Sequence, residues 1–462
     1  MRGSDVAGTP SLASIVWDLF RARREGVAGL VRRQQLRSAS LVTHARSASR
    51  FYQRHWRDCA PDASLRDLPP VTKQQLMAAF DDWLTDPRVT RAGVEAFIAD
   101  PTRIGSKLCD EYFVCSTSGT TGEPGRFVHD PHAVAVYRAL SMRLFGAWWS
   151  VAGAWALARK GGRLVAVVGT GGHFAGEGWT EWERRRDGVR SRAYTVLSVQ
   201  RPLAEIVAAL DDLDPAVLIV YPSMLALLAE EQAAGRLRLR LAFIELGGES
   251  MSPITRARAA DVFGCAIYDI YSASEALLMA IDCPHGRLHV NSDWMILEPV
   301  DAVLHPTPPG ELSHTVLLTN LANRVQPILR YDLGDSVVVP TDPCPCGSPL
   351  PSLRVAGRSG DVLYLVATDG RRVGIPPSAL AITLATVSAA RRAQIVQTTP
   401  ASLRVRVEAE PGADVESTRA FAVAKVRAYL VEQGLRDVEV VGATEPPEQS
   451  AQSGKFRPIV PL

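Results

Sequence analysis

The amino-acid sequence predicts an α/β protein with a large N-terminal domain, residues 1–357, and a small α+β C-terminal domain, residues 358–462. Three observations support this prediction. Short apolar or β-branched runs alternate with helical patterns between residues 112 and 340, which is typical of parallel or mixed sheets flanked by helices. After Gly357 the pattern changes to strand-like runs and two helical stretches. With 462 residues, 47% of them hydrophobic, the chain is long enough for about three structural units with buried cores.

Residues 12–95 are predicted to form a helical cap on the large domain. Ile15, Leu19 and Leu30 recur at helical spacing, and the pair Pro69-Pro70 interrupts the pattern. The first ten or so residues are predicted to be a loose leader. They are not predicted to be a secretory signal, because Asp18 interrupts the first apolar stretch and arginines follow it.

The strand-like runs of the large domain cover 112–115, 164–168, 217–221, 242–246 and 266–270. Helical patterns such as 202–210 and 253–263 lie between them, so the prediction is a parallel sheet with flanking helices. Ligands of such sheets bind beyond the carboxyl ends of the strands. The loops that follow these runs are therefore where we expect the chemistry.

The C-terminal domain is predicted from a hairpin and a strand–helix–strand pattern. Runs 362–365 and 372–375 flank the turn residues Asp369-Gly370, and a helix is predicted near 378–390. Two further strands, 402–408 and 438–441, flank a helix over 416–433.

Composition excludes several classes of protein. The 51 basic residues against 49 acidic ones leave a net charge of +2, too balanced for a protein that attracts nucleic acid with its whole surface. The charge-free stretches are too short or too rich in proline to be membrane spans. Seven cysteines, an odd number in a long chain, indicate reduced thiols in a cytoplasm.

The loop CSTSGTTGEPGR, from Cys115 to Arg126, is rich in hydroxyl groups and glycines. Backbone N–H groups and hydroxyl donors with little steric bulk suit a triphosphate. It is not a Walker loop, because no lysine follows Gly122 and the next predicted helix begins only near Pro131. Taken alone, the same composition also fits a surface turn.

Six motifs follow one another along the chain: STSGTTGEPG from Ser116, LGGES from Leu246, YSASE from Tyr271, RYDLGD from Arg330, GRSGD from Gly357 and SGKFR from Ser453. Their order resembles the acyl-adenylate-forming superfamily, and within it the phenylacetate–coenzyme A ligase type. The resemblance covers about residues 110–460. It implies a small C-terminal domain that moves and delivers a catalytic lysine.

The resemblance also implies roles for individual residues. The β- and γ-phosphates of ATP are assigned to Ser116, Thr117, Ser118, Gly119, Thr120, Thr121 and Gly122. Gly247, Gly248 and Glu249 are assigned to adenine, with Tyr271 stacking near it and Ser272 in the same nucleotide-binding set. The catalytic assignments are Ser274 facing the α-phosphate, Glu275 binding Mg²⁺ and Lys455 bridging the substrate carboxylate and the α-phosphate. Asp335 is assigned to the ribose hydroxyls, a task that suits a carboxylate, and Arg358 to the ribose and phosphate side.

These roles agree with the chemistry of adenylation. A carboxylate that attacks the α-phosphorus develops negative charge on the phosphate oxygens, so a metal ion and a cation are the parts required. No general base is needed. Alone, Glu275 would fit a helix N-terminus and Lys455 a solvated tail.

The acyl pocket implied by the resemblance includes Tyr137, Gly171, His173, Tyr221 and Ser223. The branch favours aryl or arylacetic acids, so the expected substrate is a small, aromatic carboxylic acid. The same aromatic side chains also fit a protein core.

Two departures from the family pattern concern the second half-reaction. Gly360 replaces the usual hinge Asp or Lys, which frees the backbone for a rotation of the small domain. Residues 364–377 replace the glycine-rich segment that usually follows the hinge of enzymes that bind coenzyme A. Arg371 and Arg372 are candidates for its phosphates, although two arginines after an Asp-Gly turn are more often a solvated hairpin tip.

A structural zinc site is predicted from cysteines and histidines. Cys344 and Cys346 form a tight Cys-Pro-Cys-Gly knuckle, and Cys283 with His285 or His289 completes four N/S ligands. The resemblance favours His289. Free cysteines with surface histidines are the alternative.

The predicted function is therefore ATP-dependent activation of an aryl acid to acyl-AMP, with transfer to coenzyme A as the first choice. One alternative passes the acyl group to an amine, a hydroxyl or a carrier protein. A second is a nucleotide-binding homologue without catalysis. The predicted cofactors are ATP, Mg²⁺ and structural Zn²⁺, no nucleic acid or membrane is expected as a partner, and both monomer and homodimer stay open.

Overall fold

A computed structural model describes residues 11–117, 124–148, 151–186, 188–249, 251, 253–355, 363–367, 369–375, 377–387, 389–448 and 457–462. The chain forms two compact units, each assembled from three segments. Unit 1 comprises Met1–Cys115, Arg126–Trp149 and Asp269–Gly357, and unit 2 comprises Ser116–Gly125, Ser150–Tyr268 and Arg358–Leu462.

The α-helices are α1 (Leu12–Ala48), α2 (Arg50–His55), α3 (Lys73–Ala78), α4 (Phe80–Trp83), α5 (Arg91–Ile98), α6 (Pro131–Trp148), α7 (Val151–Arg159), α8 (Ala175–Arg184), α9 (Gly188–Ala193), α10 (Leu203–Leu213), α11 (Pro222–Ala233), α12 (Pro253–Phe263), α13 (Pro377–Ala385) and α14 (Val415–Glu432). Two short 3₁₀ turns cover Leu65–Asp67 and Pro101–Arg103.

The strands are β1 (Phe113–Ser116), β2 (Arg126–His129), β3 (Leu164–Val168), β4 (Tyr194–Ser198), β5 (Val217–Val220), β6 (Phe243–Gly247), β7 (Ala266–Ala273), β8 (Ala276–Asp282), β9 (Leu288–Val290), β10 (Met295–Val300), β11 (Thr315–Asn320), β12 (Ile328–Asp332), β13 (Val337–Val338), β14 (Ser352–Val355), β15 (Leu363–Val366), β16 (Arg372–Ile375), β17 (Ala390–Thr399), β18 (Ser402–Ala409), β19 (Glu439–Gly442) and β20 (Ile459–Val460).

The N-terminal part of unit 1 is helical over much of the predicted range 12–95, and its role as a cap on the large domain stays a prediction. Ser11 caps α1, since its side chain accepts a hydrogen bond from the Ser14 N–H. The helix is kinked at Gly26, whose φ of 65° suits a residue without a Cβ. The Tyr52 hydroxyl and the Trp83 indole N–H both donate to the Pro327 carbonyl, at 3.1 and 2.6 Å. This helical part therefore holds the chain just before β12.

The sheets of unit 1 correct one expectation. Its strands β7, β8, β9, β14 and β13 lie side by side in that order, and β10, β11 and β12 form a second, antiparallel sheet. The sequence analysis expected parallel pairing up to residue 340, but β7 to β14 follow one another without α-helices between them and pair antiparallel. Strands without crossover helices between them have no route to parallel pairing.

The parallel sheet of unit 2 contains three predicted strands, β3, β5 and β6, and one that was not predicted, β4. The run predicted at 112–115 forms β1, which pairs with β2 in a separate two-stranded sheet. The strand order of the parallel sheet is β6-β5-β3-β4, with every described pairing parallel. Strand β3 has the predicted bounds, and β5 and β6 differ from theirs by one residue at one or both ends. One face is buried in the core through Leu218, Val220, Ile244 and Leu246.

The C-terminal part of unit 2 contains the predicted hairpin, β15 with β16, and a four-stranded sheet in the order β19-β18-β17-β20. Strand β17 was not predicted, and the helix expected to reach residue 390 ends at Ala385. The start of this strand, with its alanines and arginines, reads as helical, but pairing along β18 and burial of Ala393 and Ile395 decide its conformation. Tertiary context overrides local propensity here.

Within unit 2, residues 358–462 contact the segment Ser150–Tyr268. The Tyr364 hydroxyl donates to Glu230 Oε1 at 3.1 Å, and the Gln433 amide donates to the Gln200 carbonyl at 2.8 Å. A Cβ on Gly169 would collide with Ile382 of α13. Independent movement of residues 358–462 stays a prediction.

Within the described residues, no helix combines the length and the apolar character needed to cross a bilayer.

Candidate functional site

Glu275 lies at the tip of a tight hairpin in unit 1. Strands β7 and β8 pair with Ala273 opposite Ala276, so Ser274 and Glu275 form a two-residue turn. The pairing register shifts between Tyr271 and Ala273, which marks a β-bulge. Glu275 is only 7% exposed, and a carboxylate so removed from water requires hydrogen-bond partners.

Tyr331 provides one partner, because its hydroxyl donates to Glu275 Oε1 at 2.8 Å. Tyr331 lies on β12, whose register against β11 shifts between Leu318 and Asn320. Arg330 just before it has a left-handed backbone, with φ of 49°. Because a bulge redirects the side chains beside it, we attribute the aim of Tyr331 to this irregularity.

A second tyrosine–carboxylate bond also joins the YSASE and RYDLGD motifs, but here the tyrosine comes from YSASE and the carboxylate from RYDLGD. The Tyr271 hydroxyl donates to Asp335 Oδ2 at 2.8 Å. The tyrosine of YSASE thus donates a hydrogen bond to the last aspartate of RYDLGD, and the tyrosine of RYDLGD donates one to the glutamate of YSASE. The structure brings together Tyr271, Glu275 and Asp335, three residues predicted from the motifs; Ser272 lies between them on β7, and its nucleotide role stays a prediction.

Tyr137, predicted to line the acyl pocket, is buried in unit 1 with 1% of its surface exposed. Its hydroxyl lies 3.1 Å from His129 Nδ1 and accepts a hydrogen bond from Asn320 Nδ2 at 2.8 Å. The described contacts of Tyr137 are thus those of a buried hydrogen-bond network, and its place in an acyl pocket stays a prediction.

In unit 2, the loops after β3, β5 and β6 meet at the carboxyl ends of the parallel strands. The Gly169 N–H donates to the Tyr221 hydroxyl at 3.2 Å, and the Ser223 N–H donates to Glu249 Oε2 at 3.0 Å. The Tyr221 ring packs against Gly248. A Cβ atom added to Gly248 would lie only 3.0 Å from the ring, so a larger residue would be crowded there. The loops in which the chemistry was expected thus contact one another, and ligand binding at this sheet edge stays a prediction.

The loop after β3 is held by Glu177 in the first turn of α8. Glu177 Oε2 accepts the Gly171 N–H at 2.8 Å, and Gly171 and His173 both have positive φ, 85° and 52°. Burial raises the pKa of Glu177 to about 7, although hydrogen bonds from the loop backbone oppose the shift. A carboxyl group that titrates near neutrality therefore supports the predicted acyl-pocket residues Gly171 and His173.

The predicted phosphate loop begins beside this segment. The Ser116 N–H donates to the His173 carbonyl at 2.9 Å, and the Ser116 hydroxyl bonds to the Gly172 carbonyl. Thr117 and Gly125 exchange two hydrogen bonds, Thr117 N–H to Gly125 O at 2.9 Å and Gly125 N–H to Thr117 Oγ1 at 2.7 Å. Ser116 and Thr117 are thus placed; eight other predicted residues lie outside the described residues, namely Ser118, Gly119, Thr120, Thr121, Gly122, Arg358, Gly360 and Lys455.

Ser223 and the glycines of the LGGES motif are further predicted site residues in unit 2. Ser223 is 1% exposed, and its hydroxyl oxygen has no hydrogen-bond partner among the described residues. Gly247 and Gly248 end β6 and start the next loop, where the φ of Gly248 is 79°. This positive φ explains the glycine of the LGGES motif.

A separate cluster in unit 1 gathers Cys283, His289, Cys344 and Cys346. Their ligand atoms lie within 4.8 Å of one another, with Cys283 Sγ 3.5 Å from Cys344 Sγ and Cys346 Sγ 3.2 Å from His289 Nε2. His285 is exposed and does not belong to this group. The structure therefore brings together the four residues that the resemblance favoured.

The surroundings of the cluster suit a metal ion. His289 Nδ1 lies 2.9 Å from the Leu350 carbonyl and must be the donor there, which leaves Nε2 as the nitrogen without a proton. Burial alone would raise the pKa of Cys344, but hydrogen bonds from Cys346 and Cys283 outweigh it and lower the pKa. Three thiol sulfurs and one imidazole nitrogen form a donor set that zinc prefers.

Sequence reasoning missed two residues of the site. Tyr331 stands inside the quoted RYDLGD motif but received no role, and its distance of four residues from Asp335 is the only signal that marks it. Glu177 lies in the first turn of α8, just after a glycine-rich loop. An acidic residue at this position is usually explained by the helix dipole, so the sequence did not indicate that it holds the loop.

The comparisons with known proteins concern the family and the fold of the chain. The model of the AMP-binding enzyme family matches residues 37–313. A solved structure of 2-hydroxyisobutyryl-CoA ligase, in complex with 2-HIB-AMP and CoA in the thioesterification state, is 22% identical with a TM-score of 0.56, over 95% of this chain and 90% of that one. An open conformation of the same ligase is 21% identical with a TM-score of 0.52, over 94% and 91%.

The amide bond synthetase McbA from Marinactinospora thermotolerans is 18% identical with a TM-score of 0.41, over 74% of this chain and 67% of that one. A search of curated proteins finds no significant match. The family model covers more than half of the 462 residues. The chain therefore belongs to the AMP-binding enzyme family, and it has the mixed α/β fold of the acyl-adenylate-forming enzymes.

Proposed function

We propose that this protein activates a small aromatic carboxylic acid with ATP and transfers the acyl group to coenzyme A. The observation that carries the adenylation step is the pair of tyrosine–carboxylate bonds, Tyr331 to Glu275 and Tyr271 to Asp335. They hold two carboxylates of the motif set in fixed positions inside unit 1. A preorganised carboxylate pair of this kind is what binding of a metal–nucleotide complex requires.

In the proposed reaction, a carboxylate oxygen of the acid bonds to the α-phosphorus of ATP, and the bond to pyrophosphate breaks. The divalent cation would offset the negative charge on the phosphate oxygens, and Glu275, a hard oxygen donor, would hold it. Asp335 would accept hydrogen bonds from the ribose hydroxyls, and Ser116 and Thr117 would begin the phosphate loop. Lys455 would place a positive charge between the acid and the α-phosphate.

The thioester is the first choice for the second step. The thiol sulfur of coenzyme A would bond to the acyl carbon, AMP would leave, and the thiol proton would pass to solvent. The motif resemblance supports this choice, and the 2-hydroxyisobutyryl-CoA ligase of the same fold carries CoA in its complex. The absence of the usual glycine-rich segment after the hinge favours an amine, a hydroxyl or a carrier protein as the alternative acceptor.

An aromatic acid is proposed because Tyr221, Gly248 and the loop after β3 meet at one sheet edge, where an aryl ring would stack on the tyrosine. A nucleotide-binding homologue without catalysis is the remaining alternative. Glu275 and Lys455 speak against it, because binding alone does not require a charge aimed at the developing oxyanion.

We also propose that Cys283, His289, Cys344 and Cys346 hold one structural Zn²⁺. Four protein ligands leave no open position for water, so the ion would stabilise the fold and take no part in catalysis.

The deciding experiment incubates the protein with ATP, Mg²⁺ and a panel of aryl acids, with and without coenzyme A, and detects products by mass spectrometry. We expect acyl-AMP with the correct acid and, when coenzyme A is present, acyl-CoA formed in step with AMP. Glu275→Gln is the control and should form neither. Acyl-AMP that coenzyme A does not discharge, but an added amine or hydroxyl compound does, would replace the thioester by the alternative acceptor; no acyl-AMP with any acid would support the non-catalytic homologue.

A further inference from the structure

The Ser274–Glu275 turn is held from inside unit 1 through its backbone. The Ser274 carbonyl lies 2.9 Å from His129 Nε2, and the Glu275 carbonyl accepts a hydrogen bond from Asn320 Nδ2 at 3.0 Å. Both carbonyls of the two-residue turn are thus bound by side chains from other elements, β2 and β11. This backbone anchoring is independent of the bond between Tyr331 and the Glu275 carboxylate.

Tyr137 of α6 joins the two anchors into one network. Its hydroxyl lies 3.1 Å from His129 Nδ1 and accepts from Asn320 Nδ2 at 2.8 Å. A carbonyl can only accept, so His129 Nε2 must carry the proton, and Nδ1 must then accept from the Tyr137 hydroxyl. Every hydrogen bond in the network therefore has one possible direction, from Asn320 through Tyr137 and His129 to Ser274.

All three side chains are buried, with exposures of 0% for His129, 1% for Tyr137 and 0% for Asn320. A buried polar group that loses its partner destabilises its surroundings, so such a network acts as a unit. Burial also lowers the pKa of His129 to about 4, which keeps the imidazole neutral near pH 7. The network is consequently a fixed support and not a proton-transfer chain.

The network ends on the backbone of the two residues to which the motif set assigns the α-phosphate and the cation, and it leaves their side chains to other contacts. Small displacements of this turn would move the Glu275 carboxylate, and metal affinity is sensitive to the groups behind the ligand.

We infer that His129, Tyr137 and Asn320 are positioning residues that fix the Ser274–Glu275 turn so that the Glu275 carboxylate meets the nucleotide-bound cation. The inference rests on the proposed role of Glu275 in binding that cation.

The test measures binding without turnover and so does not require the acid. Mn²⁺ replaces Mg²⁺, α,β-methylene-ATP replaces ATP, and electron paramagnetic resonance distinguishes Mn²⁺ in the protein–nucleotide complex from free Mn²⁺ and from Mn²⁺ bound to the analogue in solution. For Tyr137→Phe, which keeps the ring, we expect about a tenfold higher Mn²⁺ concentration at half-saturation, the lower end of what loss of a supporting group costs a metal site. Affinity for the analogue without metal should not change.

Tyr112→Phe is the matched control. Tyr112 is also a buried tyrosine of unit 1, but its hydroxyl bonds to Asp86, away from the turn. It should lose stability to a similar extent, measured as melting temperature, and bind Mn²⁺ as the wild type does. A second pair, His129→Leu and His129→Gln, adds a rescue: glutamine offers both an amide donor and a carbonyl acceptor, so it should restore part of the Mn²⁺ affinity that leucine loses.

The outcomes separate the two claims. Wild-type Mn²⁺ binding that Glu275→Gln abolishes and Tyr137→Phe weakens supports the inference. Normal Mn²⁺ binding by Tyr137→Phe, or the same loss in Tyr112→Phe, overturns it and leaves the role of Glu275 intact. Equal Mn²⁺ binding by wild type and Glu275→Gln, or none by either, overturns the proposed role of Glu275 and the inference with it.

Discussion

At the scale of single residues, the site of unit 1 depends on which polar groups contact a buried carboxylate. Glu275 could be assigned from the YSASE motif, but its partner Tyr331 could not, because nothing in one sequence marks which tyrosine meets which carboxylate. The direction of Tyr331 depends on a β-bulge and a left-handed Arg330. Bulges arise from pairing between distant strands, so local patterns do not predict them.

Glu177 gives a prediction about pH at the same scale. Its pKa is raised to about 7 by burial, so the protonated form stabilises the fold fully below the ordinary value of 4.5, and this contribution is lost as pH rises through about 7. Glu177→Gln keeps an oxygen that accepts the Gly171 N–H but has no charge. We expect its melting temperature, relative to that of the wild type, to rise between pH 5 and pH 8.

Glu311→Gln, at an exposed position in unit 1, is the control for a general loss of negative charge. Calorimetry of the three proteins at pH 5, 6, 7 and 8 measures the difference. A melting-temperature difference for Glu177→Gln that stays constant with pH would contradict the assigned titration.

At the scale of secondary-structure elements, prediction succeeded where helices separate the strands and was incomplete elsewhere. Strand β3 has its predicted bounds because glycines precede and follow a run of apolar residues. Strand β17 was missed because its alanines and arginines favour a helix in isolation, and its conformation depends on β18 and β20. The edge at which β3, β5 and β6 end was predicted as a ligand site from topology alone, since parallel strands align their carboxyl ends.

The cysteine cluster yields the prediction at this scale. It joins Cys283, in the loop between β8 and β9, and His289 of β9 to the segment before β14, so zinc would add a link to the contacts that Arg287 makes with Asp342 and β9 makes with β14. We expect one zinc per chain by elemental analysis of protein purified without chelator. Cys344→Ser should lower the melting temperature by several degrees, because a structural metal contributes directly to folding free energy.

Cys59→Ser is the comparison, as Cys59 is a partly exposed cysteine outside the cluster. The Cys59→Ser variant should retain zinc and have the same melting temperature as the wild type. Protein that contains no zinc when purified without chelator, and whose melting temperature does not change when a chelator is added, would contradict the proposal.

At the scale of the whole molecule, the order of the motifs carried more information than any one of them. Six short patterns along about 350 residues predicted the family, and the family model confirms it. Their spatial arrangement did not follow from the sequence: it did not indicate that the chain divides into two units of three segments each, with 358–462 packed on the segment that contains β3 to β6. Such a division depends on contacts between distant segments, which one sequence does not reveal.

The C-terminal segment gives the prediction for the whole molecule. If it delivers Lys455 to the reacting groups, Lys455→Ala should slow acyl-AMP formation at least about a hundredfold, the effect of removing one preorganised charge from a developing oxyanion. The affinity for ATP should hardly change. Rapid-quench measurement of acyl-AMP, with ATP binding followed by calorimetry, separates the two effects.

Lys425→Ala removes the same charge from an exposed position on α14 and serves as the control. It should react at the wild-type rate. A normal rate in Lys455→Ala would show that the lysine of the SGKFR motif has no part in the chemistry.

The two tyrosine–carboxylate bonds, Tyr271 to Asp335 and Tyr331 to Glu275, have a consequence for engineering. Each of the motifs YSASE and RYDLGD completes the other, so a change in one alters the hydrogen-bond supply of a carboxylate in the other. Residues 271–275 and 331–335 therefore behave as one ten-residue unit of variation, although 55 residues separate them in the chain. A library intended to alter nucleotide use should randomise both stretches together, because a change in one stretch alone can remove a hydrogen bond from a buried carboxylate in the other and lower stability before selection acts on function.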